Sequence, residues 1–296
     1  MSDITLNDCW AKFRRAENEL RVLQREIQII QDRQGHRISI DRDADGGQYV
    51  VRVHDLPLLD ESWGVRIGEI VHNARTSLDY LIVRLVALGT GLQPAEVENV
   101  RFPILSEPHR FADWRKGFTK TPLLDGWVSR IEELQPFNSS NPSIWGWDSE
   151  SFDRQMPLVP LGLARLQELD NVDKHRGILR PQWAPRQWGG PLNSPPDFRP
   201  LGEFATVNPV VDGSQITRAR FGLPFPYEWM PDEGDVKRSY PLEVSMPNPV
   251  INQPVIELLR RCLSATEWTL TIFQPIFSDQ ETPLPVTVTL PPRIDT

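Results

Sequence analysis

Cysteine is almost missing from this chain: there are two in 296 residues, Cys9 and Cys262. They are far apart and lack metal-ligand spacing, so neither a disulfide framework nor a metal site is expected. Both fall on apolar helical positions, the setting of buried free thiols in a reducing compartment. Positive charge is not in excess either. Lys and Arg number 32 against 40 Asp and Glu, a net charge of −8, which argues against broad electrostatic binding to nucleic acid or an anionic membrane. The locally basic spots Arg14-Arg15 and Arg260-Arg261 lie within helical patterns and read as solvated faces. The longest apolar run, Leu78 to Leu92, is interrupted by Asp79 and Arg84 and is too short to span a bilayer. No basic-then-apolar leader opens the sequence, so a cytoplasmic location without membrane association is expected. There is no phosphate-binding glycine loop, nucleophile elbow or CxxC motif, which moves nucleotide-dependent enzymes and serine hydrolases out of the front rank. No cofactor is expected.

What the chain does have is helical patterning. Leu6, Phe13, Leu20 and Ile27 step by seven, as do Cys9, Ala16, Leu23 and Ile30. Interleaved, the two series make one apolar stripe along a helix from about Asn7 to Arg33. The same pattern suits coiled-coil pairing, within the chain or between two copies. Alternation at Ile38 and Ile40, then at Tyr49, Val51 and Val53, predicts a hairpin turning at Asp45-Gly46-Gly47. Further helices are predicted from Glu61 to Leu88, Phe111 to Phe118, Leu124 to Leu134, Leu158 to Leu179 and Val255 to Phe273. Residues 181–200 hold six prolines and read as loop. Phe204 to Val211, Gln215 to Phe221 and Tyr240 to Met246 read as short strands, with Asp212-Gly213 as a turn.

The fold class expected is α+β, mainly α: a long-helix bundle with an inserted β-hairpin and a small antiparallel sheet in the C-terminal third. The last helix carries an apolar stripe that needs the bundle as its partner, so residues 1–296 read as a single α+β domain. Residues 1–180 form the helical core with the hairpin at 36–54. A proline-rich loop and short strands fill 181–250, and the helix within 251–275 returns to the bundle.

Two polar clusters interrupt the apolar helices, one from His72 to Asp79 and one from Asp170 to Arg176. On a helical wheel, Ile67, Ile70, Val71, Ala74, Leu78, Leu81, Ile82 and Leu85 fill an arc of roughly 120°. Arg75, Asp79 and His72 lie together along one border of it, close enough to touch in turn. Gly68 shares that side and permits close approach by a backbone or ligand. On the later helix His175 and Arg176 flank the inner arc, and Asp173 lies beside Leu169. If the helices pack, a composite site forms from His72, Arg75, Asp79, Asn171, Asp173, His175 and Arg176. Histidine titrates near neutral pH and arginine grips phosphate or carboxylate. Ion pairs among the same residues would equally serve to fix packing register.

The strings Gly68-Glu69-Ile70-Val71-His72-Asn73-Ala74-Arg75-Thr76-Ser77-Leu78-Asp79, Phe102-Pro103-Ile104, Leu134-Gln135-Pro136-Phe137 and Asp170-Asn171-Val172-Asp173-Lys174-His175-Arg176 resemble, in that order, an uncharacterised bacterial protein family. That family carries no assigned activity, so the resemblance marks positions without naming a reaction. A looser likeness is to the HEPN superfamily, helical bundles that are often metal-independent RNases of toxin and phage-defence systems. Their Arg-then-His signature is met literally by Arg66 and His72, but a regular helix sets those two about 240° apart. His72 with Arg75, or His175 with Arg176, is better placed to move a 2′-hydroxyl proton and hold a phosphate.

Smaller signals read as structural. Asp41 to Gly46 opens like a calcium loop, but its twelfth position is Arg52 and strands flank it. His36 and His54 lack a third ligand for zinc, and His109 precedes a helix. Trp114 and Trp127 read as core. Two functions remain. One is a self-associating interaction or scaffold protein whose polar clusters are a structural network. The other is an HEPN-like metal-independent RNase or a related phosphodiester-cleaving enzyme of a toxin or phage-defence system, with RNA as its partner.

Overall fold

The seven-residue apolar series becomes helix α1, Asn7–Asp32, with Leu6, Cys9, Phe13, Ala16, Leu20, Leu23 and Ile27 all buried. The computed structural model describes residues 4–33, 36–43, 48–98, 100–117, 123–139, 158–176, 179–185, 202–205, 210–220, 242–246 and 253–278. Strands β1 (Arg37–Asp43) and β2 (Gln48–His54) form the hairpin, whose turn at 44–47 lies outside the described residues. Helix α2 runs Ser62–Thr90, α3 Pro108–Lys116, α4 Asp125–Glu133 and α5 Leu158–Arg176. Strands β3 (Gln182–Pro185), β4 (Gly202–Ala205), β5 (Gln215–Arg220) and β6 (Leu242–Ser245) precede helix α6, Val255–Ser278. The class is α+β, mainly α.

The chain forms two compact units, each built from separate stretches of sequence. One comprises residues 1–20, 67–177 and 258–296; the other comprises 21–66 and 178–257. Within the first unit the described elements are helical. Asp8 pairs with Arg84 and Lys12 reaches Asn73, so contacts move down α2 as they move up α1, and the two helices run antiparallel there. The wheel arc of α2 is its core face: Ile67, Ile70, Val71, Ala74, Leu78, Leu81, Ile82 and Leu85 are all buried. Helix α6 lays its stripe of Leu259, Cys262, Thr266, Thr269 and Phe273 into this unit's interior. Its buried hydroxyls are satisfied on their own helix: Thr266 donates to the Cys262 carbonyl and Thr269 to that of Ala265. Trp10 of α1 donates through Nε1 to Gln274 of α6 at 2.6 Å.

The second unit carries both sheets. The hairpin does not stand alone: β2 pairs with β5 and β5 with β4, giving a four-stranded antiparallel sheet in the order β1-β2-β5-β4. Tyr49, Val51 and Val53 alternate along β2 and are buried. The Asp212-Gly213 turn closes onto this sheet. Gly213 takes φ +78° and donates to the Val53 carbonyl, while Asp212 accepts the Asp55 amide. Elsewhere in the unit, Glu26 accepts both Trp63 Nε1 and Arg66 Nη1.

Most element boundaries shift by a few residues from the sequence reading, and three differences matter most. The stretch read as loop at 181–200 contains β3, which pairs with β6 from Gln182↔Ser245 to Pro185↔Leu242. Trp183 drives this: its ring is buried, and its Nε1 donates to the Pro57 carbonyl at 2.8 Å. Pro185 falls at the strand's end, where a missing N–H costs least. Among the described residues helix α5 spans Leu158–Arg176, and Leu179 is not helical. Helix α6 runs past Phe273 and through Pro275 to Ser278.

Candidate functional site

The polar block of α2 lies in the helical unit and faces a segment with no regular structure, Arg101 to Leu105. Phe102, Pro103 and Ile104 are buried, so their backbone polar groups need partners that no strand ladder supplies. Side chains supply them. Arg75 Nη2 donates to the Phe102 carbonyl at 2.5 Å and lies 3.1 Å from Asp79 Oδ1. The same Oδ1 accepts the Phe102 amide at 2.9 Å. Arg75, Asp79 and both backbone groups of Phe102 therefore form one closed ring of charge-assisted bonds. The i, i+4 spacing puts the guanidinium and carboxylate one above the other on α2.

Gln135 completes the clamp one step along. It follows α4, is wholly buried, and its Oε1 accepts the Leu105 amide at 3.0 Å. Its Nε2 donates to the carbonyls of Pro103 at 3.0 Å and Ile131 at 2.9 Å. Trp114 adds a bond from Nε1 to the Arg101 carbonyl and packs its ring 5.1 Å from that of Phe111. Trp127, on α4, is buried in the core.

The second cluster comes to the same place. Helix α5 presses against α2 at Gly68, where a Cβ would lie 2.5 Å from Asp173 Oδ1. Asp170, one turn earlier, is buried and takes the Lys174 ammonium at 2.7 Å. Its charge acts on Arg75, and that of Lys174 on Asp79. Burial pulls the Arg75 guanidinium down from its ordinary value, against the opposing pull of Asp79 and Asp170. An arginine stays protonated through such a change. Burial likewise raises the Asp79 carboxyl, while Arg75 and the Phe102 amide oppose it. Residues from all four sequence blocks thus brace one another.

The composite site expected from sequence divides at this point. Arg75 and Asp79 form the network, Asp173 fills the Gly68 notch beside it, and His72 stands at its edge, exposed, with Thr76 Oγ1 at 3.4 Å. Asn171 is exposed and accepts from Gln167 on its own helix. His175 is exposed too. It sits about 200° around α5 from Asp173, away from the Gly68 contact. The side chain of Arg176 lies outside the described residues. Arg66, the arginine of the literal HEPN spacing, is paired with Glu26 at 2.7 Å. Two members of the network were missed among the sequence candidates: Gln135 and Asp170. Both lie within the four blocks, which was the available signal.

No protein-family model, no curated protein and no solved structure matches the chain.

The remaining signals resolve locally. Asp41 pairs with Arg52 at 3.1 Å, His54 Nε2 lies 2.9 Å from Ser39 Oγ, and His109 pairs with Glu107. Among the described residues no group of three His, Cys, Asp or Glu side chains is arranged to hold a metal ion, and no helix is long and apolar enough to cross a membrane.

Proposed function

We propose that the protein is an interaction or scaffold protein and that its polar blocks are a structural network. The observation that carries this reading is the engagement of Arg75 and Asp79 with both backbone groups of Phe102. A guanidinium held that way, and buried, is poorly placed to hold a substrate phosphate. Such a network secures the packing of α2, α4 and α5 around the Phe102-Pro103-Ile104 segment and leaves the outer helix faces for partners. The proposed partner is a second copy of the chain. Val22 and Ile29 on α1 are exposed and seven residues apart, so they share one face that a second helix of the same spacing can cover. The two buried unpaired thiols support a cytoplasmic setting.

Light scattering across a concentration series tests the reading, using the wild type and a Val22→Glu, Ile29→Glu variant. The wild type is expected to self-associate and the variant to remain monomeric. A wild type that stays monomeric at every concentration, or a variant that associates equally well, overturns it. An RNA-cleavage assay on the wild type and His72→Ala addresses the HEPN-like alternative. Cleavage lost in His72→Ala with the fold intact would replace the structural reading with the enzymatic one.

A further inference from the structure

Asp173, beside the network, is the carboxylate whose position serves it least when ionised. Its carboxylate fills the notch left by the missing side chain of Gly68. It is partly buried, and among the described residues it has no hydrogen-bond or ion-pair partner. The wall it meets is the second turn of α2, past the four N-terminal residues whose N–H groups are free, so the backbone N–H groups there are already used within the helix. An ionised carboxylate can only accept, and finds no donor there. A neutral carboxyl can donate its O–H to a helix carbonyl, which keeps a second lone pair.

The charged groups around it sharpen the contrast. On its own helix stand Asp170, one turn back, and Lys174, whose ammonium is held by Asp170. On α2, His72 stands one turn beyond Gly68. Accordingly, we propose that Asp173 is a proton-operated latch on the α2–α5 junction: protonated, it closes the Gly68 notch, and ionised beside Asp170, it loosens it. This rests on the structural reading of the network and adds its regulation. Burial and the Asp170 charge both raise the Asp173 carboxyl above its ordinary value, while His72 and Lys174 pull it back. A carboxyl raised on folding adds stability below its unfolded value, and that stability is lost as pH rises through the folded value.

Thermal melting of the full chain between pH 4 and pH 8 tests the latch, with Asp173→Asn as the permanently neutral form. At pH 8 the Asn variant is expected to melt a few degrees above the wild type, and the gap should close as the pH falls toward 4. In a Gly68→Ala background the new methyl displaces the carboxylate, and the pH-dependent gap should vanish. A gap that does not change with pH overturns the latch. So does a wild type more stable than Asp173→Asn at pH 8, which would mean that the ionised carboxylate has a donor. Failure of the underlying network reading shows elsewhere, as RNA cleavage that depends on His72.

Discussion

Gly162 of α5 lies against the backbone of Arg261 on α6 so closely that a Cβ would come within 2.6 Å of the Arg261 carbonyl oxygen. Ala265 Cβ would be 2.7 Å away, so two helix backbones meet here with nothing movable between them. Gly162→Ala should therefore destabilise the protein by about 2 kcal/mol despite the better helix propensity of alanine. Gly68→Ala makes an equally short contact, but with the end of the Asp173 side chain, which can rotate away. Its net effect should stay within about 1 kcal/mol. Urea denaturation of both variants checks the contrast, and equal losses would contradict it.

Removing the Arg75 guanidinium leaves the Phe102 carbonyl and the Asp79 carboxylate without their donor. Arg75→Met is expected to cost about 3 kcal/mol, as breaking one side of a buried ion pair does. Arg75→Lys should lose less, since an ammonium keeps the positive charge beside Asp79 but sits on a shorter side chain than the Nη2 that meets both acceptors. Equilibrium unfolding that ranks Met below Lys below wild type supports the ring of bonds around Phe102. A Met variant as stable as the wild type argues that the ring contributes nothing.

Gln135 accepts one buried amide and donates to two carbonyls, so its truncation strands three backbone groups. Gln135→Ala should cost about 3 kcal/mol. Gln135→Glu should be no better at neutral pH, because a carboxylate cannot donate to the Pro103 and Ile131 carbonyls. It should recover part of the loss in acid, where the side chain regains a donor. Denaturation at two pH values reads both effects, and a Glu variant equal to wild type at neutral pH would count against this assignment.

Both cysteines are buried, and burial pushes each thiol up to about 12. Thiolate is the reactive form, so a disulfide-exchange reagent at pH 8 should label neither in the native protein and both in denaturant. Rapid labelling of native Cys9 or Cys262 would show that its helix opens without global unfolding.

Much of the helical scaffold was legible from spacing alone. The stripe of α1 and the wheel arc of α2 are periodic, and a periodic apolar face is buried wherever a partner exists. The Arg75–Asp79 pairing was legible as well, since four residues along a helix bring the two together. Their shared acceptor and donor on Phe102 were not. A helical wheel gives rotation about one axis, whereas the contact with Phe102 depends on where a non-helical segment crosses that helix. The same limit explains Asp173 and His175. Which of them turns toward α2 is set by the close approach at Gly68, a relation between helices that no single-helix pattern encodes. The strand Gln182–Pro185 was hidden by the prolines in and around it, although Trp183 supplied enough buried surface to override them.

The segment from Arg101 to Leu105 has one more consequence, which concerns order in time. It is gripped by residues from α2 and from the turn after α4, whose own positions lie 23 and more residues away along the chain. A hairpin can rehearse its pairing locally, but the amides of Phe102 and Leu105 have no acceptor so near in sequence. Its amides can gain protection only after both helices have docked. In a pulsed hydrogen-exchange refolding experiment, the amides of Phe102 and Leu105 would mark the moment at which separate helices become one assembled unit.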